Sequence, residues 1–184
     1  MTKHTATTLD YALLGLLCQS PQSGYDLRKV FETTALGSFS SSPGTIYPAL
    51  GRLEQQGLVE GQVDSTRAMR PKKVFRPTKA GRKTLTEWLS RKIDRGDVER
   101  RTDELMLRFA FHWMLDSKTL TRHFLESFLS EVEDYLGELT RQRKEYPEDG
   151  PLHPRLALVA GIEQYRASAR WARKAIEEFK EEGS

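Results

Sequence analysis

The stretch from Ser42 to Val59, SPGTIYPALGRLEQQGLV, narrows the choice of fold more than any other part of the chain. Ile46, Leu50 and Leu53 recur at i, i+4 and i+7, so they share one helical face, and that face is expected in a core. Ser42 is placed to cap the first turn, Pro43 suits the first helical position, and Gly57 is a stop residue, so the helix is short and sharply bounded. Pro48 lacks an N–H and presses on the carbonyl of Gly44, which predicts a local kink that redirects the Tyr47 side chain. The other face carries Thr45, Tyr47 and Arg52, a polar and aromatic set that core packing does not explain.

What precedes this helix reads as its scaffold. Leu9, Leu13, Leu16 and Leu17, widened by Ala12, Leu14 and Cys18, predict a mostly buried helix, with Thr8 as its cap and Asp10 in a first turn that favours negative charge. Pro21 stops it, and a second helix opens at Ser23 or Gly24 with Leu27, Val30 and Phe31 inward and Arg28 and Lys29 outward. LGSFSSS, Leu36 to Ser42, reads as a loop. After the third helix, alternation from Leu58 to Val63 and a β-prone run from Lys73 to Pro77 predict a hairpin with the long polar tip DSTRAMRPK. Its tip and second strand contain Arg67, Arg70, Lys72, Lys73 and Arg76. Thr78 then caps a helix with Leu85, Trp88 and Leu89 on its apolar side. This order, three helices and a basic hairpin, is that of a winged helix-turn-helix.

Charge separates the two halves. Residues 1–92 hold 14 Lys and Arg against 7 Asp and Glu, or +7, while residues 93–184 hold 15 against 19, or −4. A basic first half points to a polyanion-binding module, and an acidic second half to a part that need not touch the polyanion. No apolar run approaches the roughly 18 residues of a membrane span, and mean hydropathy is −0.60. The N-terminal segment reads as a helix that begins a domain, not as a signal peptide. The single cysteine, Cys18, excludes an internal disulfide and fits a reducing cytoplasm.

In the second half, RKIDRGDVERR, Arg91 to Arg101, reads as a linker or fraying helix end. Thr102, Asp103 and Glu104 then cap LMLRFAFHWML, apolar around nearly its whole circumference and so expected to be buried on several sides. Leu125, Phe128, Val132, Tyr135 and Leu139 recur at intervals of 3, 4, 3 and 4. After the break YPEDGPLHP, Leu158, Ile162, Tyr165, Ala169, Ala172, Ile176 and Phe179 alternate 4 and 3. Two helices with this coiled-coil spacing can pack on each other or on a second chain.

YALLGLL, SGYDLRKVF, SPGTIYPALGRLEQQGLV and KKVFRPTKAGRKTL occur in the order and spacing of the PadR family of transcriptional regulators, which the first half of the chain resembles. Phe75 stands near where that family usually has Tyr. The second half is similar in architecture and length to the longer members, which append a helical domain. The resemblance implies a mainly α fold with a small β-hairpin: a winged helix-turn-helix DNA-binding domain over 1–92 and a helical dimerisation and effector-sensing domain over 93–184. It also implies a repressor that leaves DNA when a small molecule or signal binds. Phe109, Phe111, His112, Trp113 and Trp171 are candidates to line an aromatic effector pocket.

Double-stranded DNA is the expected partner. Ser41, Ser42 and Thr45 stand near base edges, Tyr47 and the basic residues Arg67, Arg70, Lys72 and Lys73 near phosphates, and the first turn of the helix holds no Asn or Gln, with Arg52 a bidentate donor farther along. With few base-reading side chains, half-site spacing and DNA shape should carry much of the specificity, through a homodimer on a palindromic operator. Catalysis, a cofactor and a metal site are not expected. His4, His112, His123 and His153 lack ligand spacing, and no nucleophile elbow, zinc-protease, P-loop or dinucleotide motif occurs. The competing class is a protein-interaction module that uses the C-terminal heptads beside a winged scaffold without DNA. That scaffold would not need a basic wing. Replacing Arg67 and Arg70 by Ala should weaken DNA binding and flatten its salt dependence by about 0.9 units of log–log slope per lost phosphate contact; an unchanged slope would contradict the wing assignment.

Overall fold

The computed structural model describes residues 6–39, 43–64 and 72–181. The chain divides into two compact units, Met1–Leu89 and Ser90–Ser184.

The first unit is built around α1 (Thr8–Gln19), whose Ala12, Leu13, Leu14, Leu16 and Leu17 are all buried. Its cap is Thr7 rather than the expected Thr8. The Thr7 hydroxyl accepts from the Asp10 N–H, and the Asp10 carboxylate accepts from the Thr7 N–H, a reciprocal capping box. Around α1 pack α2 (Gly24–Thr33) through Leu27 and Phe31, and α3 (Pro43–Gln55) through Ile46, Ala49, Leu50 and Leu53. The helix α3 runs continuously through Pro48. Ala35–Phe39 forms a 3-10 helix where only a loop was expected, and the proposed cap Ser42 lies outside the described residues.

The hairpin consists of β2 (Val59–Asp64) and β3 (Lys72–Pro77), paired antiparallel from Val59↔Pro77 to Asp64↔Lys72. Periodicity does not anticipate the third strand. β1, only Gln22–Ser23, pairs with β3 through Gln22↔Phe75 and Ser23↔Val74, giving the order β1-β3-β2. Between α3 and β2 the chain turns in a Schellman motif: Gly57 has φ +69°, Leu58 N–H donates to the Leu53 carbonyl and Gly57 N–H to that of Glu54. The Thr78 hydroxyl donates to the Gly57 carbonyl at 2.6 Å and accepts from Gly81 N–H, so it opens α4 (Lys79–Leu89) against the end of α3. Trp88 of α4 stacks on Tyr11 with centroids 4.4 Å apart.

In the second unit the segment read as a linker or fraying helix end holds α5 (Arg95–Arg100), closed at its start by a capping box between Asp94 and Asp97. Charge-rich composition hid it. Asp97 is fully buried and takes Arg91 at 2.7 Å and Arg101 at 2.6 Å on one carboxylate oxygen. The next helix, α6 (Thr102–Ala110), has Arg101 at its N-cap and no side-chain cap, contrary to the expectation for Thr102 to Glu104. It ends at Phe111, and His112–Leu115 forms a 3-10 turn that hands over to α7 (Lys118–Glu145) through Asp116 at φ 47°. Beyond a short connection, α8 (Leu152–Glu181) returns along α7, with Pro154 in its first turn where a missing N–H costs nothing. Leu125, Phe128 and Val132 share one core cluster with Ala169, Ala172 and Ile176, and Leu139 and Ile162 are also buried, so the two heptad stripes pack on each other. No helix among the described residues is long and apolar enough to cross a membrane.

Gly81 is the tightest junction in the first unit: a Cβ there would lie 2.0 Å from the Leu58 carbonyl oxygen and 2.9 Å from its carbon. Both atoms are backbone and cannot rotate away. Gly81→Ala should therefore destabilise the fold by about 1–3 kcal/mol, measured as a lower urea midpoint.

Candidate nucleic-acid interface

The outward face of α3 is set by two ion pairs and one ring contact. Arg52 reaches back to Asp10 at 3.1 Å, and the Asp10 carboxylate is almost fully buried. Lys73 of β3 pairs with Glu54 at 2.7 Å, and the other Glu54 oxygen accepts from Gly61 N–H, which ties the end of α3 to both strands. Tyr47 lies across the start of α2 so closely that a Cβ at Gly24 would be 2.6 Å from its Cε1, yet the ring is 52% exposed. Thr45 is exposed beside it. Of the other sequence candidates, Lys72 is exposed on β3, while Ser41, Ser42, Arg67 and Arg70 lie outside the described residues. Arg52 and Lys73 thus have a visible structural occupation, holding α3 to its neighbours.

The β1–β3 pairing brings a further group to this surface. Tyr25 of α2, passed over in the sequence because it resembled part of a helix start, is 52% exposed. Arg28 and Lys72 both sit over its ring, at 5.5 and 5.6 Å from the centroid. Beside it, the Ser23 hydroxyl donates to Asp26 at 2.6 Å and holds that carboxyl below its ordinary range, helped by Lys72 and Lys29. A depressed carboxylate adds stability above its unfolded pKa and loses it as pH falls through the folded one, so this cap is intact at neutral pH.

The aromatic candidates of the second unit divide. Phe109 meets Trp171 edge-on at 5.1 Å and Phe124 at 6.2 Å, and buried His112 lies 4.5 Å from Phe124. Phe111 is buried, whereas Trp113 is 59% exposed. Phe128, read in the sequence only as helix stripe, and Phe124 are the shared contacts of this cluster. Arg108 is fully buried beside it, with its guanidinium 5.2 Å from the Phe124 ring centroid and one nitrogen donating to the Arg91 carbonyl. Burial, with Arg91 adding to it, lowers the Arg108 pKa to about 10, which leaves the side chain charged at neutral pH. Burial also pushes the Cys18 thiol up, away from the thiolate that nucleophilic chemistry needs. Among the described residues no group of His, Cys, Asp and Glu could hold a metal ion.

Because the Tyr47 ring is what a methyl group at position 24 would meet, the fold can accept Gly24→Ala by moving that ring alone. The substitution should shift the Tyr47 ring resonances while changing stability by less than about 1 kcal/mol. A large loss of stability with unmoved resonances would contradict this placement.

Residues 13–87 match the model of the transcriptional regulator PadR-like family, and residues 102–180 match that of the virulence activator alpha C-terminal region. The chain is 35% identical over 104 residues to the negative transcriptional regulator PadR of Bacillus subtilis (strain 168), an alignment covering 56% of each protein. It is 37% identical over 51 residues to the transcriptional regulator YqjI of Escherichia coli (strain K12), covering 28% of this chain and 25% of that protein. The chain therefore spans about half or less of the length of these curated relatives. Among solved structures, Bacillus subtilis PadR in complex with operator DNA is 26% identical, with 94% of this chain and 99% of that one covered and a TM-score of 0.44. The same protein in complex with p-coumaric acid is 24% identical, with 94% and 96% covered and a TM-score of 0.42. On its sequence motifs and the family-model match, the stretch 13–87, which holds the winged helix-turn-helix, is similar to the PadR-like family of transcriptional regulators.

Proposed function

We propose that this chain is a sequence-specific DNA-binding repressor, active as a homodimer on a palindromic operator and released from it by a small molecule or another signal. The observation that carries the reading is the exposure of Thr45 and Tyr47 on α3 and of Lys72 on β3, in a winged helix-turn-helix that matches a family of transcriptional regulators. The repressive sense follows the name of the Bacillus relative, a negative regulator. In this reading the Met1–Leu89 unit is the DNA-binding domain, with Ser41, Ser42 and Thr45 at base edges and Tyr47, Arg67, Arg70 and Lys72 at phosphates. Arg52 and Lys73 contribute by fixing α3, since each already faces a carboxylate.

The Ser90–Ser184 unit supplies dimerisation and effector sensing. Its α7 and α8 stripes are consumed by each other, so the second copy is met by what they leave exposed, including Leu120, Leu152 and Leu156. The cluster of Phe109, His112 and Trp171 is the place for an aromatic effector, with Trp113 outside it. An effector acts only through a difference in affinity between the bound and released arrangements of the dimer. The site of action is the nucleoid, in the cytoplasm.

Mapping the chain's binding sites across the genome of its host should recover discrete sites with inverted repeats whose half-sites lie about one helical turn apart. Sedimentation at micromolar concentration should give twice the 21.1 kDa chain mass. Unsymmetrical or absent sites, or a monomer, would overturn the dimeric-repressor reading.

A further inference from the structure

We infer that Tyr25, Arg28 and Lys72 form a phosphate-binding site for the DNA backbone, separate from the wing tip and organised by the Tyr25 ring. The inference rests on the proposed DNA-binding function and adds residues from α2 to it. Three observations converge. Tyr25 is 52% exposed with two cations over its ring, so it is not a core residue that happens to reach the surface. Arg28 from its own helix and Lys72 from β3 both stand over it, at 5.5 and 5.6 Å. Those two cations come from elements brought together by the register Ser23↔Val74, not by sequence proximity.

The neighbouring charges leave these two cations open to a ligand. On β3, Lys73 is held by Glu54 at 2.7 Å and Arg76 faces Glu60 at 3.5 Å. Lys72 lies instead against a ring, and a ring's quadrupole holds an ammonium group without cancelling its charge. Arg28 does meet Glu32 at 3.3 Å, but both side chains are more than a third exposed, and a pair of that kind is screened and readily exchanged for a stronger anion. The other nearby carboxylate, Asp26, is occupied by the Ser23 hydroxyl and N–H. A phosphodiester between Arg28 and Lys72 would receive two charge-assisted contacts from a preorganised pair. Tyr25 is then a positioning residue that keeps the two cations a fixed distance apart.

The test uses the full chain and mixed-sequence duplex DNA, for which phosphate contacts supply nearly all the affinity. Arg28→Ala with Lys72→Ala should reduce the salt slope by about 0.9, the value for one phosphate. Tyr25→Leu, which removes the ring from an exposed position, should weaken binding about fivefold at fixed salt, while Tyr25→Phe, which keeps it, should stay within about twofold of the unmodified chain. An unmodified chain that binds the duplex, together with a double variant of unchanged slope, would overturn the site and leave the DNA-binding function standing. Equal affinities for the Leu and Phe variants would overturn the role given to the ring. Failure of the unmodified chain to bind any duplex would remove the proposed function and this site with it.

Discussion

The carboxylate of Asp10 is the point on which the first unit depends. One oxygen closes the capping box at the start of α1, and the other receives Arg52 from the far end of α3. Such a group is costly to bury unless both oxygens are satisfied, and here each has a donor. The result is that α1 and α3 are fixed by the same side chain. A charge at the surface of α3 has been used for rigidity, and the helix presents its hydroxyl and aromatic groups in a constant orientation.

How far the sequence discloses this depends on the range of the interaction. Ile46, Leu50 and Leu53 are read correctly as core because a helix places them on one face whatever lies opposite. The hairpin and the opening of α4 at Thr78 are legible for the same local reason. The Arg52 partner is not legible because a lone Arg on a helix announces a donor but not its acceptor, and Asp10 lies far back in the chain. Tyr25 escapes notice because its meaning comes from Lys72, a residue contributed by another strand. The two-residue strand β1 has no periodicity to detect.

The second unit shows the opposite failure. RKIDRGDVERR reads as a linker or fraying helix end, yet its Asp97 is fully buried and two arginines converge on it. Composition assumes that charge means water, and a capping box with paired guanidinium groups breaks that assumption. Arg108 carries the same lesson further: its guanidinium is wholly enclosed, tied to the Arg91 carbonyl on one side and to the Phe124 ring on the other. The aromatic cluster and the segment that enters this unit therefore share a single rigid connector. The heptads, by contrast, predict the α7 and α8 pairing well and leave open only whether the partner is the same chain, which a short connection decides.

The register that pairs Gln22 with Phe75 also sets an order of events during synthesis. When α1 leaves the ribosome, its enclosing partners β3 and α4 have not been made, so a helix with five buried apolar residues in six positions must wait among other nascent chains. Contacts distant in sequence form late, and the interval exposes apolar surface to chaperones and to aggregation. The α7 and α8 hairpin, whose partners follow one another directly, has no such delay. Slow translation before Leu89 thus prolongs the exposure of α1, which ends only when β3 and α4 are both available.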